Sequence, residues 1–168
     1  SEENLQYFNR ISKEQGFTDI ISETITEFKK YNVTPSVLRE GLTKIDDEEL
    51  KSKLTDLANI FEKFDISISE NLVDTDDELT YLANKLNNCS LYDNAEIWID
   101  EFTTFTPQQM EVIKGLAKKC KEVNIALCMD EVSSGDDSEV TDIFNSLKTT
   151  ELRILNMMRD EHIGYEKP

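Results

Sequence analysis

Two short apolar runs, Ala95 to Asp100 (Ala-Glu-Ile-Trp-Ile-Asp) and Val123 to Asp130 (Val-Asn-Ile-Ala-Leu-Cys-Met-Asp), each end in a carboxylate, with one amphipathic stretch between them. Both runs are rich in β-branched and apolar residues and read as strands. Between them, Thr106-Pro107 supplies a cap followed by proline at the first helical position, and Met110, Ile113, Leu116 and Ala117 follow at helical spacing. Strand, helix and strand in this order make one βαβ unit, so the strands run parallel with a right-handed crossover. Parallel strands are normally buried on both faces, in sheets of several strands, and no other segment of this chain reads as a strand. The expectation is a partial sheet whose remaining strands lie elsewhere in a longer polypeptide.

The rest of the chain reads as amphipathic helices. Leu5, Phe8 and Ile11 begin one that Gly16 can end. Phe17, Ile20, Ile21, Ile25 and Phe28 form the next, closing near Lys29-Lys30, where cations suit the negative end of the helix dipole. Thr34-Pro35 opens a short helix to Leu42, and Asp46 or Asp47 opens a longer one through Leu50, Leu54, Leu57, Phe61 and Phe64. A further helix is expected from Asp74 through Leu79, Leu82 and Leu86. After a loop at Ser133 to Asp137, helices are expected around Val140 to Leu147 and from Thr150 to about Asp160. The fold class is therefore mainly α with a small α/β part. A helical bundle over residues 1–90 precedes a partial parallel sheet over 91–168.

The net charge of −17 is spread along the chain: residues 1–93 hold 20 acidic and 10 basic side chains, and residues 94–168 hold 15 and 8. Binding nucleic acid through phosphate neutralisation needs clustered Lys and Arg, and only short groups such as Lys118-Lys119-Cys120-Lys121 occur. The chain alone is expected to bind nucleic acid poorly. No run approaches the roughly 20 apolar residues that span a bilayer, and Ser1 to Asn4 do not resemble a secretory signal. A soluble, cytoplasmic protein is expected. Cys89, Cys120 and Cys128 show no paired spacing and read as reduced, packed thiols, not a disulfide framework or a zinc site. The glycosylation-like triplets at Asn32 and Asn88 read as chance matches without a secretory route.

Asp100-Glu101 and Asp130-Glu131 follow the two strands at their carboxyl ends, the edge where open parallel sheets bind ligands. Ile97-Trp98-Ile99-Asp100-Glu101 matches a Walker-B strand, in which the Asp helps to hold Mg²⁺ and the neighbouring Glu orients water. The same acids can equally cap the following loop or helix. No Gly-x-x-x-x-Gly-Lys-Ser/Thr loop is present to cradle phosphates, so ATP hydrolysis by this chain alone is not expected. Asp74-Thr75-Asp76-Asp77-Glu78 starts like a calcium loop but has Leu79 and Lys85 where glycine and glutamate belong, and reads as an acidic helix start. His162 is the single histidine and reads as a surface residue of the last helical turn. Trp98 and Tyr92 read as core packing.

Asp100-Glu101-Phe102-Thr103-Thr104-Phe105-Thr106-Pro107-Gln108-Gln109, preceded by Ile-Trp-Ile, resembles the Walker-B region of AddB, the second subunit of the bacterial AddAB helicase–nuclease. Gly16-Phe17, Ile25 to Tyr31, the Leu50 to Leu57 stretch, Asp74 to Ala83 and the Ile125 to Asp130 strand fit the same family, so the resemblance covers most of the chain. It implies a fragment of an ATP-dependent helicase–nuclease subunit for double-strand break processing and recombinational repair. Residues 1–90 would be a helical insertion, and 91–168 part of a P-loop helicase-like core lacking its phosphate loop. It also implies an A-type subunit and DNA as partners of the intact protein, with Mg²⁺ and ATP as its cofactors. Asp100 and Glu101 would contact Mg²⁺–nucleotide in that intact protein only; the fragment has no catalytic residue, metal or cofactor of its own. Two departures stand out: Glu101 occupies a position where the family has glycine, and Thr103 stands where active relatives carry glutamine. The alternative from another class is a free-standing acidic helical protein–protein interaction module. A receiver-like Mg²⁺ phosphoryl-transfer domain built on Asp100 and Asp130 lacks the further strands and the lysine it would need.

Overall fold

Phe17, Ile21, Ile25 and Phe28 recur at helical spacing, and the computed structural model, which describes residues 5–69, 77–129 and 144–166, forms α1 (Phe17–Lys30) there. The helix ends in a left-handed turn at Asn32 (φ 55°), so that Val33 N–H reaches Phe28 O at 2.8 Å and Asn32 N–H reaches Lys29 O at 3.0 Å. Thr34 Oγ1 accepts the Val37 N–H and opens α2 (Pro35–Leu42). Asp47 Oδ1 accepts the N–H groups of Glu49 and Leu50 and opens α3 (Glu48–Ser69). Then come α4 (Glu78–Leu86), β1 (Glu96–Ile99) and α5 (Pro107–Lys119). Thr106 and Gln109 cap α5 reciprocally, each side chain accepting the other's backbone N–H. Last are β2 (Glu122–Ile125) and α6 (Asn145–Asp160). The described chain is thus mainly helical with a small two-stranded parallel sheet. It divides into two compact units, residues 1–78 and 79–168.

The first unit is built on Phe8, Ile21, Ile25, Leu57 and Phe61, with Leu38, Leu54 and Phe64 packed around them. Arg39 on α2 donates to Glu62 at 2.7 Å and to Asn59 at 3.3 Å on α3. The helix expected from Leu5 to Gly16 does not form; residues 6–16 make a series of turns. The reason is Asp56 on α3, only 1% exposed, whose carboxylate accepts the N–H groups of Gln6 (3.1 Å), Tyr7 (2.8 Å) and Phe8 (3.0 Å). Leu5 and Phe8 still face the core, as their spacing suggests, while Ile11 is exposed. Lys29 also departs from a simple dipole role. It is buried, its ammonium lying 2.8 Å from Asp77, 3.2 Å from Asp65 and over the Phe64 ring. Such a cation is tolerated inside because its carboxylate partners replace water.

In the second unit β1 and β2 pair in parallel with Ile97 opposite Val123 and Ile99 opposite Ile125. Those side chains share one face. Ile99 and Ile125 pack with the buried cluster of Phe105 and Ile113 near α5 and Ile154 and Met158 on α6. Gly115 on α5 lets α4 approach closely: a Cβ there would lie 2.9 Å from Cδ1 of buried Leu86.

The second strand stops at Ile125 instead of running to Asp130. Ala126 N–H still donates to Ile99 O at 2.9 Å, but β1 has by then turned away at Asp100-Glu101 and offers no further partner. Helix α6 runs through Thr150, where a new helix was expected to start. The Thr150 hydroxyl is near both Ser146 O and Thr103 O at 2.9 Å, so it is satisfied inside a continuous helix and does not cap a new one. Residues 74–76, the expected loop at 133–137 and residues 140–143 lie outside the described residues.

Candidate functional site

The end of β1 delivers Asp100 and Glu101 to an exposed turn. Asp100 Oδ1 accepts the Glu101 N–H at 2.7 Å, and Glu101 itself is left-handed at φ 66°. That backbone region is open to glycine and strained for a side chain bearing a Cβ, which gives a physical reason for the glycine the resemblance places here. Glu101→Gly is accordingly expected to stabilise the chain by about 0.5–1 kcal/mol, relief of strain outweighing the looser unfolded chain. Chemical denaturation of the two proteins measures it, and a loss of stability would contradict the strain.

The residues that follow form a joint between the strand and α5. Phe105 is 3% exposed and stacks on Phe102 with ring centroids 5.0 Å apart. Arg153 on α6 donates to Phe105 O at 3.2 Å, and the Thr150 hydroxyl to Thr103 O. Thr106 caps α5, Pro107 takes its first position, and buried Gln108 donates to Thr80 Oγ1 at 3.1 Å. Each residue of Phe105-Thr106-Pro107-Gln108-Gln109 therefore has a structural task. The Thr-Pro start was visible in the sequence; nothing in the sequence signalled the burial of Gln108.

The lysines near the end of α5 are matched by acids. Lys114 pairs with Glu111 and Glu161, Lys118 with Glu161, Lys119 with Asp93 and Lys121 with Glu96. The hydrogen bond from Lys118, with the charges of Lys118 and Lys114 adding, holds the Glu161 carboxyl below its ordinary 4.5. The hydrogen bond to Glu111 raises Lys114 above its ordinary 10.5 against partial desolvation, helped by the charges of Glu111 and Glu161. A depressed carboxyl stabilises the fold above its unfolded value and loses that contribution as pH falls through its folded value. The difference in melting temperature between the parent and Glu161→Gln is thus expected to hold from neutral pH toward 4.5 and to close below it. Added salt shrinks it at every pH. A difference that grows on acidification would refute the clamp.

Other candidates are placed as follows. Cys89, Cys120 and Cys128 are free thiols; burial, then the charge of Asp93, pushes the Cys120 thiol up. His162 is exposed just beyond α6, at φ 58°. Tyr92 is half-buried, but Trp98 is not in the core: it is 74% exposed, because it alternates with Ile97 and Ile99 onto the sheet face opposite the α5–α6 core. Asp130 and Glu131 lie outside the described residues, as does most of the acidic 74–78 stretch. Among the described residues no three His, Cys, Asp or Glu side chains are grouped to hold a metal ion, and no helix is long and apolar enough to cross a membrane.

The sequence pattern of the family described as "ADDB, N-terminal" matches residues 1–168. A protein of Clostridium botulinum (strain Hall), named as the B-type subunit of an ATP-dependent helicase/deoxyribonuclease, is 44% identical over 165 residues, 98% of this chain and 14% of that protein. Proteins of the same name from Clostridium perfringens (strain SM101) and Clostridium acetobutylicum are 47% identical over 163 residues and 43% identical over 157. These cover 97% and 94% of this chain, and 14% and 13% of the relatives. The chain therefore spans about one seventh of the length of these relatives. The chain belongs to the ADDB N-terminal family.

Proposed function

We propose, from this family membership, that the chain is part of the B-type subunit of an ATP-dependent helicase–deoxyribonuclease that processes DNA double-strand ends for recombinational repair in the cytoplasm. The observation that carries the reading is the match along the whole chain to relatives about seven times longer. In it, residues 1–90 are a helical insertion and 91–168 part of a P-loop helicase-like core whose phosphate loop lies in another part of the polypeptide. The parallel sheet ending in Asp100-Glu101 supports that assignment, since open parallel sheets bind ligands at this edge. The segment is non-catalytic by itself and meets DNA and an A-type subunit through the intact protein. Its paired lysines and net charge of −17 fit a part that does not itself grip phosphates.

Asp100 and Glu101 are the residues that would face Mg²⁺–nucleotide in the intact protein. Mg²⁺ is held by one or two carboxylates together with substrate phosphates and water, and two exposed carboxylates at a strand end fit that demand. The ion would neutralise phosphate charge; Asp100 would supply a ligand oxygen while its other contact, to Glu101 N–H, fixes the turn.

The test begins with the native product, probed with an antibody against this segment. A species several times larger than 19.4 kDa supports the subunit reading, whereas one near that mass sinks it and favours a free-standing acidic interaction module. In the large product, Asp100→Ala is expected to weaken Mg²⁺–ATP binding in the complex with its partner subunit. Unchanged nucleotide binding would remove the site assignment while leaving the subunit reading in place.

A further inference from the structure

Residues 100–105 carry the two carboxylates from β1 to α5, and little in their own backbone holds them. Among the described residues, none of the six takes part in a backbone–backbone hydrogen bond. Asp100 Oδ1 accepts the Glu101 N–H, which closes the turn locally. The other two ties both come from α6. The Thr150 hydroxyl lies 2.9 Å from Thr103 O, and the Arg153 guanidinium donates to Phe105 O at 3.2 Å. Thr150 and Arg153 stand three residues apart and so share one side of the helix. The Thr150 proton is shared with Ser146 O at the same distance, so the charged arginine is the firmer tie. Arg153 is exposed, and in a chain with 35 acidic side chains it forms no ion pair among the described residues; its bond goes to a backbone carbonyl instead. α6 is itself well held: Ile154 and Met158 are buried in the core, and Glu161, just past its last turn, pairs with Lys118 at 2.6 Å.

We infer that Thr150 and Arg153 are positioning residues for the Mg²⁺–nucleotide contact proposed at Asp100 and Glu101. By holding Thr103 O and Phe105 O they tie the turn to α6, so that the place of the two carboxylates follows the place of that helix. The inference rests on the reading of the site given above. Neither side chain is itself part of the proposed contact; each acts through the turn. An exposed segment with few bonds of its own opens locally at low cost, and two contacts from a core helix remove that freedom.

The experiment uses the natural full-length protein in complex with its partner subunit. Arg153→Ala is the first variant: the side chain is exposed and alanine favours a helix, so α6 is expected to persist. Without nucleotide, amide exchange in peptides spanning residues 100–106 is expected to rise by more than any change in global stability accounts for, and Thr150→Val adds to the rise. Affinity for Mg²⁺–ATP is expected to fall about fivefold, part of what one charge-assisted hydrogen bond contributes. Arg153→Lys and Thr150→Ser, which still offer a donor, restore most of both readouts. In an Asp100→Ala background Arg153→Ala has a much smaller effect on affinity, because the two changes act through one contact. Exchange in the turn that follows global stability alone overturns the inference, as does a fully additive loss of affinity in the double variant. Asp100→Ala separates the failures. If it leaves Mg²⁺–ATP affinity unchanged, the reading of the site falls and the inference with it; if it weakens binding while Arg153→Ala does not, only the inference falls.

Discussion

Asp56→Ala is expected to destabilise the first unit by about 3 kcal/mol, far more than a typical change of one helical polar residue. The carboxylate is 1% exposed and accepts three consecutive backbone N–H groups, from Gln6, Tyr7 and Phe8. Hydrogen bonds to a charged acceptor are worth more than neutral ones, and a buried donor stripped of its acceptor bears the cost of its lost hydration. The Phe8 N–H is buried, whereas those of Gln6 and Tyr7 are partly buried and recover some water, so the loss stays well below three times the cost of one buried, unsatisfied donor. Asp56→Asn retains one acceptor oxygen but turns an NH₂ toward a donor, so an intermediate loss is expected. The check is the urea midpoint with an unchanged denaturant slope, together with faster amide exchange at residues 6–8. A loss below about 1 kcal/mol for the alanine variant would show that the turns hold without the carboxylate.

Asp56 also shows where sequence reasoning stops. The apolar spacing of Leu5, Phe8 and Ile11 correctly places Leu5 and Phe8 against the core, but spacing alone cannot tell a helix from turns whose amides are satisfied from 50 residues away. Local chemistry was legible where it is self-contained: Thr34-Pro35, Asp47 and Thr106-Pro107 start their helices because cap and proline act within one turn. The parallel pairing of β1 with β2 follows from the strand–helix–strand order. Thr150 misled because a threonine hydroxyl can cap a helix or bond back into one, and only the contact with Thr103 O decides. Trp98 misled for another reason: a strand rich in apolar residues suggests burial on both faces, and the second face is open here. The sequence placed Asp100 and Glu101 at the carboxyl end of a strand, as the structure does, but the left-handed backbone at Glu101 is a property of the turn that no side-chain pattern announces.

Phe105→Ala is expected to cost the second unit about 3–5 kcal/mol, as for other buried phenylalanines cut to alanine. It is also expected to loosen the turn carrying Asp100 and Glu101. The ring is 3% exposed, in the cluster with Ile113, Ile154 and Met158. Its backbone carbonyl takes the Arg153 guanidinium, and the residue after it caps α5. Removing the ring leaves a cavity and withdraws the anchor that joins the strand end to the helix. Phe102→Ala serves as the comparison: that ring is 41% exposed and stacks on Phe105, so its loss should have a much smaller effect on stability. Amide exchange across residues 100–106 reports the turn separately from the global transition. If Phe105→Ala lowers stability but leaves exchange in the turn as slow as in the parent, the ring is core filling alone. If exchange there rises well beyond the global loss, Phe105 holds the Asp100–Glu101 turn in position, and the nucleotide contact proposed for the intact protein would depend on a side chain that is not itself part of that contact.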